Sequence, residues 1–189
     1  MFIQIFSLLL DVVAGLVGGA CLLRLYMQYQ RIGMGSQSAN PLAQFIFTLT
    51  DWLVLPLRRV VPSVGRVDSA SLLAAFLVEL AQFAVLWLVA GGQGSLLPLP
   101  VLALFGTLRL VISLAMGLLI VNVVLSWVQT DSPLAHLIDR LCAPVLQPLR
   151  RVVPLVGGID LSPLVLVLLL QVATIVLAHL QAVTLGGLL

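Results

Sequence analysis

The sequence predicts an all-α membrane protein with four transmembrane helices arranged as two tandem parallel repeats. Each repeat is expected to carry a short amphipathic interfacial helix and a PLRRVVP connector in its cytoplasmic loop. Three observations predict this. Hydrophobic residues make up 61% of the 189 and charged residues only 8%, with a mean hydropathy of +1.22, far from the composition of a soluble domain. Four apolar runs each approach the roughly 20 helical residues that cross a hydrocarbon core. The heptapeptide PLRRVVP occurs at residues 56–62 and again, unchanged, at 148–154.

The first span is expected over residues 2–27. It is too long for a signal peptide, has no basic leader and carries Arg24 toward its end, so it reads as a retained helix. LVGGAC at 16–21 matches a lipoprotein cleavage site only loosely, because Gly18 stands where a larger apolar residue belongs. The linker RIGMGSQSAN at 31–40 is rich in turn formers. An amphipathic helix over about 41–55 follows, with Leu42, Phe45, Ile46, Leu49 and Leu53 on one face and Gln44, Thr48 and Asp51 on the other. The first PLRRVVP and the turn GRVD lead into a second span over 71–90.

The uncharged connection GGQGSLLPLP then reaches a third span over 104–128. A second amphipathic helix over about 133–147 sets Leu134, Leu137, Ile138 and Leu141 against His136, Asp139 and Arg140. Its start is marked by Ser132 as N-cap and Pro133 in the first turn, where a missing N–H costs little; Asn40 and Pro41 mark the other start. The second PLRRVVP, the turn GGID and a fourth span over 163–184 complete the chain. The amphipathic helices are expected either in the interface plane or packed as a cytoplasmic cap.

The two copies are residues 1–92 and 93–189. An offset of 92 pairs Pro56 with Pro148, Gly65 with Gly157, Asp68 with Asp160 and Glu79 with Gln171. Each copy holds two spans, so the repeats are parallel and not inverted. Arg31, Arg58, Arg59 and Arg66 fall in the first loop and Arg140, Arg150 and Arg151 in the third. The positive-inside rule therefore puts both loops in the cytoplasm and both termini outside. In a Gram-negative bacterium that outer side is the periplasm.

The prolines bracketing PLRRVVP are expected to stop the helix and leave a rigid connector that holds Arg58, Arg59, Arg150 and Arg151 at headgroup depth, facing anionic lipid or a partner. Gly65 with Asp68, and Gly157 with Asp160, supply a turn and a helix start within reach of those arginines. NPLAQF, PLRRVVPSVGRVDSAS, LSWV, SPLAHL and PLRRVVPLVGGIDLSPLVLVLLLQ resemble the paired motifs of the YggT family of bacterial and plastid membrane proteins. The resemblance implies a small integral membrane protein of two repeats with no assigned catalytic activity. It also implies links to osmotic tolerance, cell division and, in plastid relatives, cytochrome assembly. Arg66 replaces the second glycine of GGID, a departure between the copies.

No nucleophile with a base, paired carboxylates or metal-ligand cluster stands at usable spacing, so no catalytic residue, metal or cofactor is expected. His136 and His179 lie too far apart along the fold to share one metal. The formal charge of +2 gives no reason to expect nucleic acid. Cys21 and Cys142 read as small buried thiols. Asp11, Glu79, Arg109, Asn122 and Gln171 are polar groups inside apolar spans, where they either join helices or line a path for ions or small solutes in an oligomer. A scaffold or assembly factor is the expected function and an oligomeric conduit the alternative. The expected partners are membrane lipids together with a protein or a second copy. Asp11 on a stripe with Gly15 and Gly19, and Arg109 on a stripe with Ser113 and Gly117, lie at similar depth and are expected to pair.

Overall fold

The structure, a computed structural model, describes residues 2–30, 41–61, 68–92, 95–128, 132–153 and 160–186. Among them the chain forms six helices: α1 (Phe2–Tyr29), α2 (Pro41–Val60), α3 (Ser69–Val89), α4 (Pro98–Val128), α5 (Pro133–Val152) and α6 (Ser162–Gly186). Ile3–Tyr29 within α1, together with α3, α4 and α6, is long and apolar enough to cross a membrane. Asn40, Gly65, Arg66 and Gly157 lie outside the described residues.

Packing divides the chain into two compact units, Met1–Val111 with His179–Leu189, and Ile112–Ala178. In the first, α1, α2 and α3 pack on one another. Small residues allow this approach: α1 buries Ala14, Gly18 and Cys21, and α3 buries Ala70, Ser71, Ala74 and Ala75. Lipid tails are as apolar as leucine, so such contacts gain from close packing and polar bonds more than from removal of water. Exposed Leu8, Leu9, Val12 and Leu16 on α1 fit the same view. Of the small-residue stripes expected to bring α1 and α4 close to neighbours, Gly15, Gly19 and Gly117 have nothing within 4 Å of an added Cβ, whereas at Gly18, off those stripes, an added Cβ would meet Leu110 at 2.7 Å.

Three expectations need correction. The helix does not stop at PLRRVVP: α2 runs through Pro56, and α5 through Pro144 and Pro148, so all four arginines sit in last helical turns. Each proline forfeits one backbone bond. The turn beyond it is closed by Val61 N–H to Leu57 O at 2.8 Å and by Val153 N–H to Leu149 O at 2.8 Å. Cations there also suit the negative end of the helix dipole. Secondly, α4 begins at Pro98, not near 104. Pro98 and Pro100 occupy its first turn, where no intrahelical N–H is needed, and the Ser95 hydroxyl accepts from Leu97 N–H at 3.1 Å.

Thirdly, α2 turns a different stripe inward. It buries Ala43, Ile46, Thr50 and Val54 and leaves Phe45, Trp52 and Leu55 exposed. In the second unit, α5 buries Leu137, Ile138, Leu141, Cys142 and Leu146 and exposes His136, Asp139 and Arg140. Its start is as the sequence indicates, with Ser132 Oγ accepting from Ala135 N–H at 3.1 Å and Pro133 following.

Candidate functional site

The polar groups gather at the ends of α2 and α5 that carry the arginine pairs. Arg58 reaches from the last turn of α2 to the residue that precedes α3, its Nη2 lying 2.5 Å from Asp68 Oδ2. Ser71 Oγ donates to the same oxygen at 2.7 Å, and Arg58 Nη2 also donates to Gln28 Oε1 at 3.1 Å. Asp68 is fully buried, and its Oδ1 has no hydrogen-bond partner among the described residues. Burial works to raise this carboxyl, but the bonds from Arg58 and Ser71 and the charges of Arg58 and Arg24 outweigh it and hold it below the ordinary value. The carboxylate therefore stays charged, and α1, α2 and α3 meet around it.

A second arginine completes this corner. Arg24, on α1, is 2% exposed and donates from Nη1 to Thr50 Oγ1 at 2.8 Å and to Asp51 Oδ1 at 2.7 Å. Its guanidinium lies over the Phe47 ring, 4.7 Å from the centroid, a cation–π contact. Thr50 is turned inward, where its hydroxyl oxygen accepts from this cation. The sequence placed Arg24 only as a mark against a signal peptide. The available signal was a lone arginine in an apolar run, followed by a Thr-Asp step on the next helix.

The outer part recurs at the second PLRRVVP motif. Arg150 Nε donates to Asp160 Oδ2 at 2.7 Å, and Asp160 Oδ1 accepts from Ser162 N–H at 2.9 Å. Slight burial raises the Asp160 carboxyl, but the Ser162 and Arg150 bonds and the Arg150 charge outweigh it and leave it below its usual range. The side chains here are 45% and 30% exposed, so water screens the pair more than at Asp68. Among the described residues the inner part does not recur. Allowing for the six extra residues of the first linker, Asn122 stands where Arg24 does, and an offset of 92 puts Cys142 and Ala143 opposite Thr50 and Asp51. Asn122 is half-buried and takes no hydrogen bond among the described residues. Cys142 lies 3.6 Å from Leu118 O, and burial, aided by Asp139, pushes its thiol up to about 11. It is an inert thiol at neutral pH.

Arg59 and Arg151 are exposed and enter no ion pair among the described residues. Deeper in the spans the structure overturns the expected Asp11–Arg109 pair. Asp11 accepts from Gln82 Nε2 of α3, and Arg109 Nη2 donates to Gln181 Oε1 of α6 at 3.0 Å. Depth along a helix was readable; direction around it was not. Glu79 is buried against α4, and Gln171 is exposed on α6 with no bond among the described residues. Among the described residues no group of three or more His, Cys, Asp or Glu comes together that could hold a metal.

Long apolar helices joined by polar bonds, with an Arg–Asp clamp ahead of α3 and again ahead of α6, define a multi-pass α-helical membrane protein. The sequence pattern of the CCB3/YggT family matches residues 3–89 and again 101–181, and the chain belongs to that family. It is 36% identical over 182 residues to a protein called uncharacterized protein YggT of Escherichia coli K12, covering 94% of this chain and 92% of the relative. An uncharacterized protein of Pseudomonas aeruginosa is 36% identical over 150 residues, covering 77% and 76%, and one of Haemophilus influenzae is 28% identical over 153 residues, covering 79% and 78%. No solved structure matches the chain.

Proposed function

We propose that this protein is a non-catalytic scaffold or assembly factor of the bacterial inner membrane. In this reading it is built of two tandem parallel copies, with its arginine-bearing helices at the cytoplasmic face and its termini outside. The observation that carries the reading is the division of labour inside each RR pair. Arg58 and Arg150 are committed to Asp68 and Asp160, while Arg59 and Arg151 stand exposed beside them. A clamp that fixes one guanidinium and presents the next makes a preorganised cationic surface, which loses little freedom on meeting a carboxylate or phosphate.

Anionic headgroups are one ligand of that surface and an acidic segment of a protein partner the other. Exposed Phe45, Trp52 and Leu55 on α2 suit the amphipathic, interfacial placement expected of that helix. Two pairs of polar groups in the spans hydrogen-bond across helices, Asp11 with Gln82 and Arg109 with Gln181. That favours helix joining over a conduit. The test is a photocrosslinking amino acid placed at position 59 or 151 in growing cells, with adducts identified by mass spectrometry. A recurrent protein partner at both positions is expected; adducts with lipid alone would reduce the surface to a membrane anchor and sink the scaffold reading.

A further inference from the structure

The middle of α3 holds a carboxyl for which the fold makes room and supplies no hydrogen bond. Glu79 lies ten residues from Ser69 and ten from Val89, about 15 Å from either end of the span at helical rise. It is 5% exposed, and no described residue hydrogen-bonds to it. Its side chain rests on Gly106 of α4: a Cβ added there would meet Glu79 Oε2 at 2.0 Å and Cδ at 2.9 Å, with Phe83 Cε2 at 3.1 Å. The missing side chain at 106 is what lets the carboxyl sit between the helices.

The nearby donors Gln82 and Arg109 each make a bond to another residue. Gln82 gives its amide to Asp11, and Arg109 gives Nη2 to Gln181. The charged groups near Glu79 are Arg109 from α4 and Asp11 from α1, which are of opposite sign. At the matching position the second copy has Gln171, which has the same shape and no charge.

We propose that Glu79 is a proton-binding site in the membrane interior. One carboxylate oxygen takes up a proton from water and returns it to water, with no covalent or redox change. The neutral acid fits the notch without a fixed donor; the anion draws toward Arg109 and alters how α3 rests on α4 at Gly106. This goes beyond the scaffold reading, since it makes a helix contact responsive to proton concentration.

The experiment treats the purified full chain in liposomes with a hydrophobic carbodiimide, which adds whole to a protonated carboxyl, and maps the adduct by mass spectrometry across a pH series. The expected adduct is on Glu79, with a rate that falls about tenfold per pH unit above a single midpoint. Gly106→Ala puts a methyl group where the carboxyl lies and is expected to lower that rate severalfold. An adduct confined to Asp11, no adduct, a Glu79 rate constant across the series, or an unchanged rate in Gly106→Ala overturns the proposal. Mapping on the unmodified sequence decides even if a variant fails to fold.

Discussion

Asp68 and Asp160 precede their helices in the same sequence context and differ in surroundings. Asp68 is wholly buried and Asp160 is partly open, so removal of the charge should cost unequally. Asp68→Asn is expected to lower the unfolding free energy by about 2 kcal/mol, the range for losing a hydrogen bond to a charged group, because the arginine left behind is partly exposed. Asp160→Asn should cost under about 1 kcal/mol, as exposed pairs do. Both carboxyls are held below their ordinary values in the folded protein. Their contribution is therefore present above the usual carboxylate range and lost as pH falls through the lowered values. Thermal unfolding in detergent across an acid series checks both points: Asp68→Asn should flatten the acid loss, and equal costs in the two variants would contradict the burial difference.

The helices show which parts of the fold were legible. Span number and position followed from apolar length, because nothing else keeps twenty such residues in one stretch. The end of α2 is not where the sequence puts it because proline in a sequence signals a break, while the structure follows Pro56 with a closed final turn and an Arg–Asp clamp. The start of α4 was misread for the opposite reason, since prolines that look like a loop are harmless in a first turn. Arg24 escaped because its partners lie on another helix, a rotation no periodicity reveals. At this scale Arg24→Met should cost about 2 kcal/mol by removing the charge-assisted bonds to Asp51 and Thr50. Asn122→Ala, at the matching place on α4, should cost under about 1 kcal/mol. Equal losses in a detergent unfolding assay would mean that the Arg24 cluster does not hold α1 to α2.

On the scale of the molecule, the proposed orientation follows from arginine placement alone and is open to direct measurement. A cysteine at position 59 should be shielded from an impermeant thiol reagent in intact cells, and one at position 96, in the connection ahead of α4, should react. The reverse pattern would invert the protein in the membrane. The Arg24 cluster also has a consequence in time. Arg24 precedes Thr50 by 26 residues and Asp51 by 27, and chains are made from the N-terminus. While α1 is entering the bilayer, the guanidinium that will be sealed inside has neither oxygen to bind. It must wait near the headgroups, where a long side chain keeps its charge wet. The first helix is therefore not finished when its own residues are finished; it is finished by α2.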